Sequence, residues 1–234
     1  MNTNKENNLL NKNIVYDLTA FSHLDYPNYL ACIVWFIGCN MRCDYCYNKD
    51  IVFSKKGTQS LDDILLFLKT RVGLLDAVVL SGGEATNHEL VLFCQKVKQL
   101  GFKIKLDTNG LNFHSIQKLV DSKFLDFVAL DYKAPYYKFE QVTHSKYFSS
   151  FENTLNYIIK QKVPFEVRTT IHNDLLDETD INFIINDLVN KGYTSNYYLQ
   201  NFLETNNNIA NITQSTKKFD KSLISQELNI IYRE

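Results

Sequence analysis

The chain alternates short apolar runs with longer stretches of helical period. Leu30–Ile37 (Leu-Ala-Cys-Ile-Val-Trp-Phe-Ile) is continuously apolar, as expected of a strand buried on both faces of a parallel sheet. Ala77–Leu80, Lys103–Leu106, Phe127–Leu130, Phe165–Thr169 and Tyr197–Gln200 read as further strands. Helices are predicted between them: from Ser60 to about Arg71, from Asn87 to Leu100, near Ser115–Ser122, near Phe151–Gln161 and over Glu178–Asn190. Ser60-Leu61-Asp62-Asp63 has the form of an N-cap followed by acidic first-turn residues. Gly101 and Gly192 suit the position just past a helix end. Upstream, Ile14–Phe21 fits an edge strand and Asp25-Tyr26-Pro27 a turn.

Strands alternating with amphipathic helices mean βα units and a parallel sheet, an α/β fold. About six units are too few to close an eight-stranded barrel, so the expectation is an open, partial (βα)6 barrel with outer helices. Residues 1–13 read as a flexible tail and 14–204 as the barrel. Residues 205–234 read as an Asn/Thr/Lys-rich loop followed by a short helix near Leu223–Tyr232. No internal repeat or second domain is evident.

Composition narrows the classes. The 234 residues are 45% hydrophobic and 13% aromatic, which argues for a globular core. Twenty-five basic and 26 acidic residues leave a net charge of −1, so no nucleic-acid partner is expected. No apolar run approaches the roughly 18–20 residues that span a bilayer, and the polar, Asn-rich start shows no signal peptide. A reducing cytoplasm is the expected location, with no membrane partner.

The chemistry lies where such a fold puts it, at the carboxyl ends of the strands. The first strand runs into Gly38-Cys39-Asn40-Met41-Arg42-Cys43-Asp44-Tyr45-Cys46-Tyr47. Ser81-Gly82-Gly83-Glu84 ends the second, and Asp107-Thr108-Asn109-Gly110 the third. Asp131-Tyr132-Lys133, Arg168-Thr169-Thr170 and Gln200-Asn201-Phe202 end the rest. Cys39, Cys43 and Cys46 offer three thiolates with no local fourth. On a four-iron cluster that leaves one iron open for chemistry. Structural zinc is the competing reading of close cysteines, and it would call for a fourth ligand from elsewhere.

The C-x3-C-x-aromatic-C spacing, with Gly82-Gly83-Glu84 one strand later, resembles the radical S-adenosylmethionine superfamily. The resemblance runs from about Phe21 to Phe202. It implies one 4Fe-4S cluster on Cys39, Cys43 and Cys46, with S-adenosylmethionine as cofactor. Gly82, Gly83 and Glu84 would hold the cofactor's methionine amino group, glycine allowing close approach and the carboxylate suiting an ammonium. Asp107, Thr108, Asn109, Asp131 and Lys133 resemble strand ends of pyruvate formate-lyase activating enzyme that contact the ribose and the methionine carboxylate. The two aspartates there help hold a monovalent cation. Arg168 resembles an arginine near that carboxylate; a buried salt bridge to Glu84 or Glu166 is its alternative. Tyr45 takes the aromatic position beside the adenine. Cys32 and Cys94 read as core residues. His114, His144 and His172 have no motif partner.

Ser22-His23-Leu24-Asp25-Tyr26-Pro27 resembles the leader of glycyl-radical-enzyme activating enzymes, with one departure, Asn28, where glycine is common. Cys46-Tyr47-Asn48-Lys49 resembles anaerobic ribonucleoside-triphosphate reductase activating proteins. This resemblance implies a radical activase that cleaves S-adenosylmethionine reductively, using flavodoxin or ferredoxin as electron donor. It would place a radical on one glycine of anaerobic ribonucleotide reductase. The alternatives are a small-molecule radical enzyme of the deazapurine-synthase kind and a non-catalytic iron–sulfur or zinc protein.

Overall fold

The computed structural model describes residues 8–205 and 207–233. The chain forms two compact units. One comprises residues 1–39, 50–108 and 112–128, the other 40–49, 109–111 and 129–234.

The first unit holds β1 (Asn13–Ser22), β2 (Ala31–Phe36), β3 (Gln59–Ser60), β4 (Ala77–Gly82), β5 (Lys103–Thr108) and the start of β6 (Phe127–Asp131). Its strand order is β3-β1-β2-β4-β5-β6. β2, β4 and β5 run parallel, Ile33 facing Val79 and Val79 facing Lys105. β1 pairs antiparallel with β2 on one side and with the short β3 on the other. Ala31, Cys32, Val34 and Phe36 of β2 and Ala77–Leu80 of β4 are all 0% exposed. Each large side chain so buried contributes about 1.5–3 kcal/mol.

Helix α1 (Lys49–Phe53) begins where the units divide, and α2 (Leu61–Lys69) starts at a complete capping box. Asp63 N donates to Ser60 Oγ at 3.2 Å, and Ser60 N donates to Asp63 Oδ2 at 2.8 Å. Leu61, Ile64, Leu65 and Leu68 form its buried stripe. Helices α3 (Val91–Gln99) and α4 (Phe113–Asp121) complete this unit.

The second unit contains the end of β6, then β7 (Phe165–Ile171), β8 (Tyr197–Asn201) and β9 (Ile230–Arg233), in the order β6-β7-β8-β9. β8 pairs parallel with both β7 and β9. Its helices are α5 (Tyr136–Thr143), α6 (Phe148–Gln161) and α7 (Glu178–Asn190).

The open, mostly parallel α/β architecture is as expected, but several details differ. The expected C-terminal helix at Leu223–Tyr232 is absent. A 3₁₀ turn at Lys221–Leu223 leads to strand β9 instead. β-branched Ile230 and Ile231 suit a strand. Arg233 then fixes the register by a two-pronged pair with Glu166 (3.1 and 2.9 Å) and by lying 3.7 Å over the Tyr198 ring. In the expected tail, residues 1–7 lie outside the described residues. Residues 8–10 are helical and Leu10 is buried. Helix α5 has no counterpart among the expected elements. Finally, Asn28 adopts φ +68°, a left-handed conformation that asparagine tolerates best after glycine, so the departure keeps the turn.

Candidate active site

In the first unit, the carboxyl end of β4 makes a backbone turn too tight for any side chain. Gly83 N donates to Phe36 O and Glu84 N to Gly38 O, at 2.9 and 2.8 Å. A Cβ on Gly83 would stand 2.0 Å from Gly38 O, and one on Gly82 (φ +113°) 2.4 Å from Phe36 N. The turn aims Glu84 inward, 2% exposed. Its Oε1 accepts from Thr86 Oγ1 at 2.5 Å and from Thr108 Oγ1 at 2.9 Å. One residue before Thr108, Asp107 Oδ1 accepts from Lys105 Nζ at 2.6 Å and Oδ2 from Ser81 Oγ at 3.2 Å. Cys39 lies just past β2 in this unit.

In the second unit, Asp131 at the end of β6 sits between two cations. Arg168 Nε donates to Oδ1 at 2.8 Å and Lys133 Nζ to Oδ2 at 3.0 Å. Arg168 therefore does pair with a carboxylate, but with Asp131, Glu166 being held by Arg233. Burial opposes the ionisation of Asp131, yet Arg168 and then Lys133 hold its carboxyl below the ordinary carboxylate range. Burial likewise opposes the charge on Lys133, but Asp131 together with Tyr45 and Cys43 outweighs it, so the ammonium is kept. Lys133 Nζ lies 5.8 Å from the centroid of the Tyr45 ring. Burial drives the Tyr45 hydroxyl pKa well up, and that hydroxyl has no hydrogen-bond partner among the described residues.

The segment Asn40–Lys49 carries Cys43 and Cys46 and is bound to the end of α5. Arg42 N donates to Thr143 O and Asp44 N to Val142 O, at 2.9 and 3.1 Å. These carbonyls belong to the last turn of the helix, which has no partners of its own for them. His144 takes the left-handed C-cap position (φ +53°), and its Nε2 lies 2.6 Å from Asp44 Oδ1. Asn40 accepts from Asn109 Nδ2 at 2.7 Å, and the loop after β8 adds Ile209 N to Cys46 O and Ala210 N to Asp44 O. Sequence reasoning misses His144, Lys105 and Asn40. An i, i+2 Lys–Asp pair on one strand face is the available sign for Lys105; nothing local marks the other two.

The residues fit the groups that the motif implies. None of the five cysteines is in a disulfide. Burial pushes the Cys32 and Cys94 thiols up to about 12 and raises that of Cys46 as well. What sets Cys39, Cys43 and Cys46 apart is position, in the one segment between β2 and α1, while Cys32 lies within β2 and Cys94 within α3. Among the described residues no three His, Cys, Asp or Glu side chains converge on a point that would grip a single ion. Three thiolates that each bind a different iron of a cubane have no need to. The buried Tyr45 hydroxyl, unpartnered among the described residues, is a donor that calls for a ligand. The two aspartates expected to help hold a monovalent cation are both already paired with cations of the protein itself. Among the described residues no helix is long and apolar enough to cross a membrane.

A protein of Methanocaldococcus jannaschii, provisionally named a glycyl-radical enzyme activating enzyme, is 31% identical over 179 residues, covering 73% of each chain. The 7-carboxy-7-deazaguanine synthase of Rickettsia prowazekii is 32% identical over 89 residues, 36% of this chain and 37% of its own. Among solved structures, Streptococcus suis SuiB with bound S-adenosylmethionine matches with TM-score 0.66 at 14% identity. The match covers 85% of this chain and 48% of SuiB, so the chain spans about half of that protein. The Radical SAM superfamily profile matches residues 33–201. The chain therefore belongs to the radical S-adenosylmethionine superfamily, and it is an enzyme that uses a 4Fe-4S cluster and S-adenosylmethionine.

Proposed function

We propose that this enzyme activates a partner protein by placing a radical on one of its glycines, the partner being anaerobic ribonucleoside-triphosphate reductase. The observation that carries the reading is the likeness to the M. jannaschii relative over 73% of both chains. The Cys46-Tyr47-Asn48-Lys49 sequence supports the choice of partner. Flavodoxin or ferredoxin is the proposed electron donor, and the cytoplasm the proposed location.

When bound and reduced, the cluster and S-adenosylmethionine supply a carbon-centred radical able to take a hydrogen atom from a glycine α-carbon. The chain's part is to bind and to orient. Cys39, Cys43 and Cys46 ligate the cluster. Gly82 and Gly83 let backbone approach the cofactor, and Glu84 supplies negative charge for its ammonium. Lys133 and Arg168, fixed by Asp131, attract the methionine carboxylate. Asp107, Thr108 and Asn109 would take the ribose, and Tyr45 the adenine.

The test is an anaerobic mixture of reconstituted enzyme, S-adenosylmethionine, reductant and the reductase. A glycyl doublet on the reductase by EPR is the expected result. The R. prowazekii likeness favours a second reading, a deazapurine-forming enzyme. Formation of a deazapurine product, with no doublet on any glycyl-radical enzyme, would select it.

A further inference from the structure

A cofactor site whose aspartates draw in a monovalent cation offers that ion carboxylate charge not already neutralised. Here that charge is taken. Lys105 and Asp107 stand two apart on β5 and so share one face of the strand. The Lys105 side chain is 3% exposed and that of Asp107 14%, with Nζ 2.6 Å from Oδ1. The other oxygen, Oδ2, accepts from Ser81 Oγ. An ammonium buried to this degree would be strongly destabilising without its carboxylate, so the pairing is obligatory for Lys105. In the second unit, Asp131 gives Oδ1 to Arg168 and Oδ2 to Lys133. That triad already carries a net positive charge, and an added cation would meet repulsion.

We propose that this enzyme binds S-adenosylmethionine without a monovalent cation, the Lys105 ammonium holding Asp107 in the ion's place. A lysine ammonium is a compact point charge, and on β5 it is delivered by the strand rather than drawn from solution. Sodium or potassium therefore has no coordination role in cofactor binding. The inference rests on the assignment of Asp107 to cofactor binding and not on the identity of the partner. Its test reads affinity and melting, so its failure is separate from failure of the partner assignment.

The experiment measures cofactor affinity and melting temperature of the reconstituted full chain in choline chloride, sodium chloride and potassium chloride at equal ionic strength. The expected affinities agree within about twofold, with no shift in melting. Tightening of about tenfold or more in sodium or potassium, saturating at millimolar salt, would overturn the proposal. Lys105→Met should create the missing dependence, binding about tenfold tighter in potassium than in choline. A soluble Lys105→Met protein indifferent to the cation would also overturn it. If that variant fails to fold, the wild-type comparison decides alone, with Lys105→Arg as the charge-retaining control, expected to stay cation-independent.

Discussion

Arg168 donates from Nε to Asp131 Oδ1 at 2.8 Å, linking the middle of β7 to the carboxyl end of β6 across 37 residues of sequence. With Lys133 on the other oxygen, the carboxylate holds two cations where the motif calls for recognition of a carboxylate ligand. Asp131 is thus the group that sets the position of both.

Asp131→Asn should destabilise the fold by about 3 kcal/mol at neutral pH, because two largely buried cations lose their counter-charge. The Asp131 carboxyl titrates below its ordinary value. A lowered native pKa gives stability that is full above the unfolded value of about 3.9 and is lost as pH falls through the native one. Urea denaturation should show a constant gap between wild type and variant from pH 7 to about 5, narrowing below about 4. A gap that persists undiminished in acid would contradict the pairing.

Gly83 and Gly38 face each other across one turn, yet they should respond differently to alanine. At Gly83 the new Cβ meets a backbone carbonyl at 2.0 Å, whereas at Gly38 (φ +74°) it meets nothing within 4 Å. Gly83→Ala should cost about 3 kcal/mol or more through forced backbone movement. Gly38→Ala should cost about 1–2 kcal/mol, from the left-handed conformation alone. Equal costs by chemical denaturation would count against this packing.

Glu84→Gln separates two roles of one side chain. The amide oxygen can still accept from Thr86 and Thr108, which donate to Glu84 Oε1 in the wild type, so stability should change by less than about 1 kcal/mol. The lost charge should weaken S-adenosylmethionine binding by about tenfold or more, measured anaerobically by calorimetry. Unchanged affinity would remove Glu84 from the cofactor.

Cys43→Ala and Cys94→Ala should part company in metal content. Wild type and Cys94→Ala should hold about four irons per chain after reconstitution, and Cys43→Ala close to none. One zinc per chain in wild type would contradict the cluster.

Features of this fold are legible in the sequence where their signal is local. The N-cap at Ser60 and the apolar run of β2 are carried by neighbouring residues, and both are legible. The Cys spacing and Gly82-Gly83-Glu84 are legible for the same reason. The C-terminal segment is not, because Ile230–Arg233 becomes a strand only by pairing with β8 and by the reach of Arg233 to Glu166. His144 reads as a histidine without a partner, since its partner Asp44 lies 100 residues away. The partner of Arg168 is hidden on similar grounds. Glu166, two residues away, shares its face of the strand, but Arg233 arrives from β9 to take that carboxylate and leaves Arg168 to Asp131.

The most direct test of the activase account follows one atom. The reductase would be prepared with glycine deuterated at the α-carbon and mixed anaerobically with enzyme, S-adenosylmethionine and reductant. A glycyl doublet on the reductase is expected, with deuterium in the 5′-deoxyadenosine recovered from the same mixture. Unlabelled 5′-deoxyadenosine with no doublet, from enzyme whose cluster is intact and reducible, would contradict the activase reading.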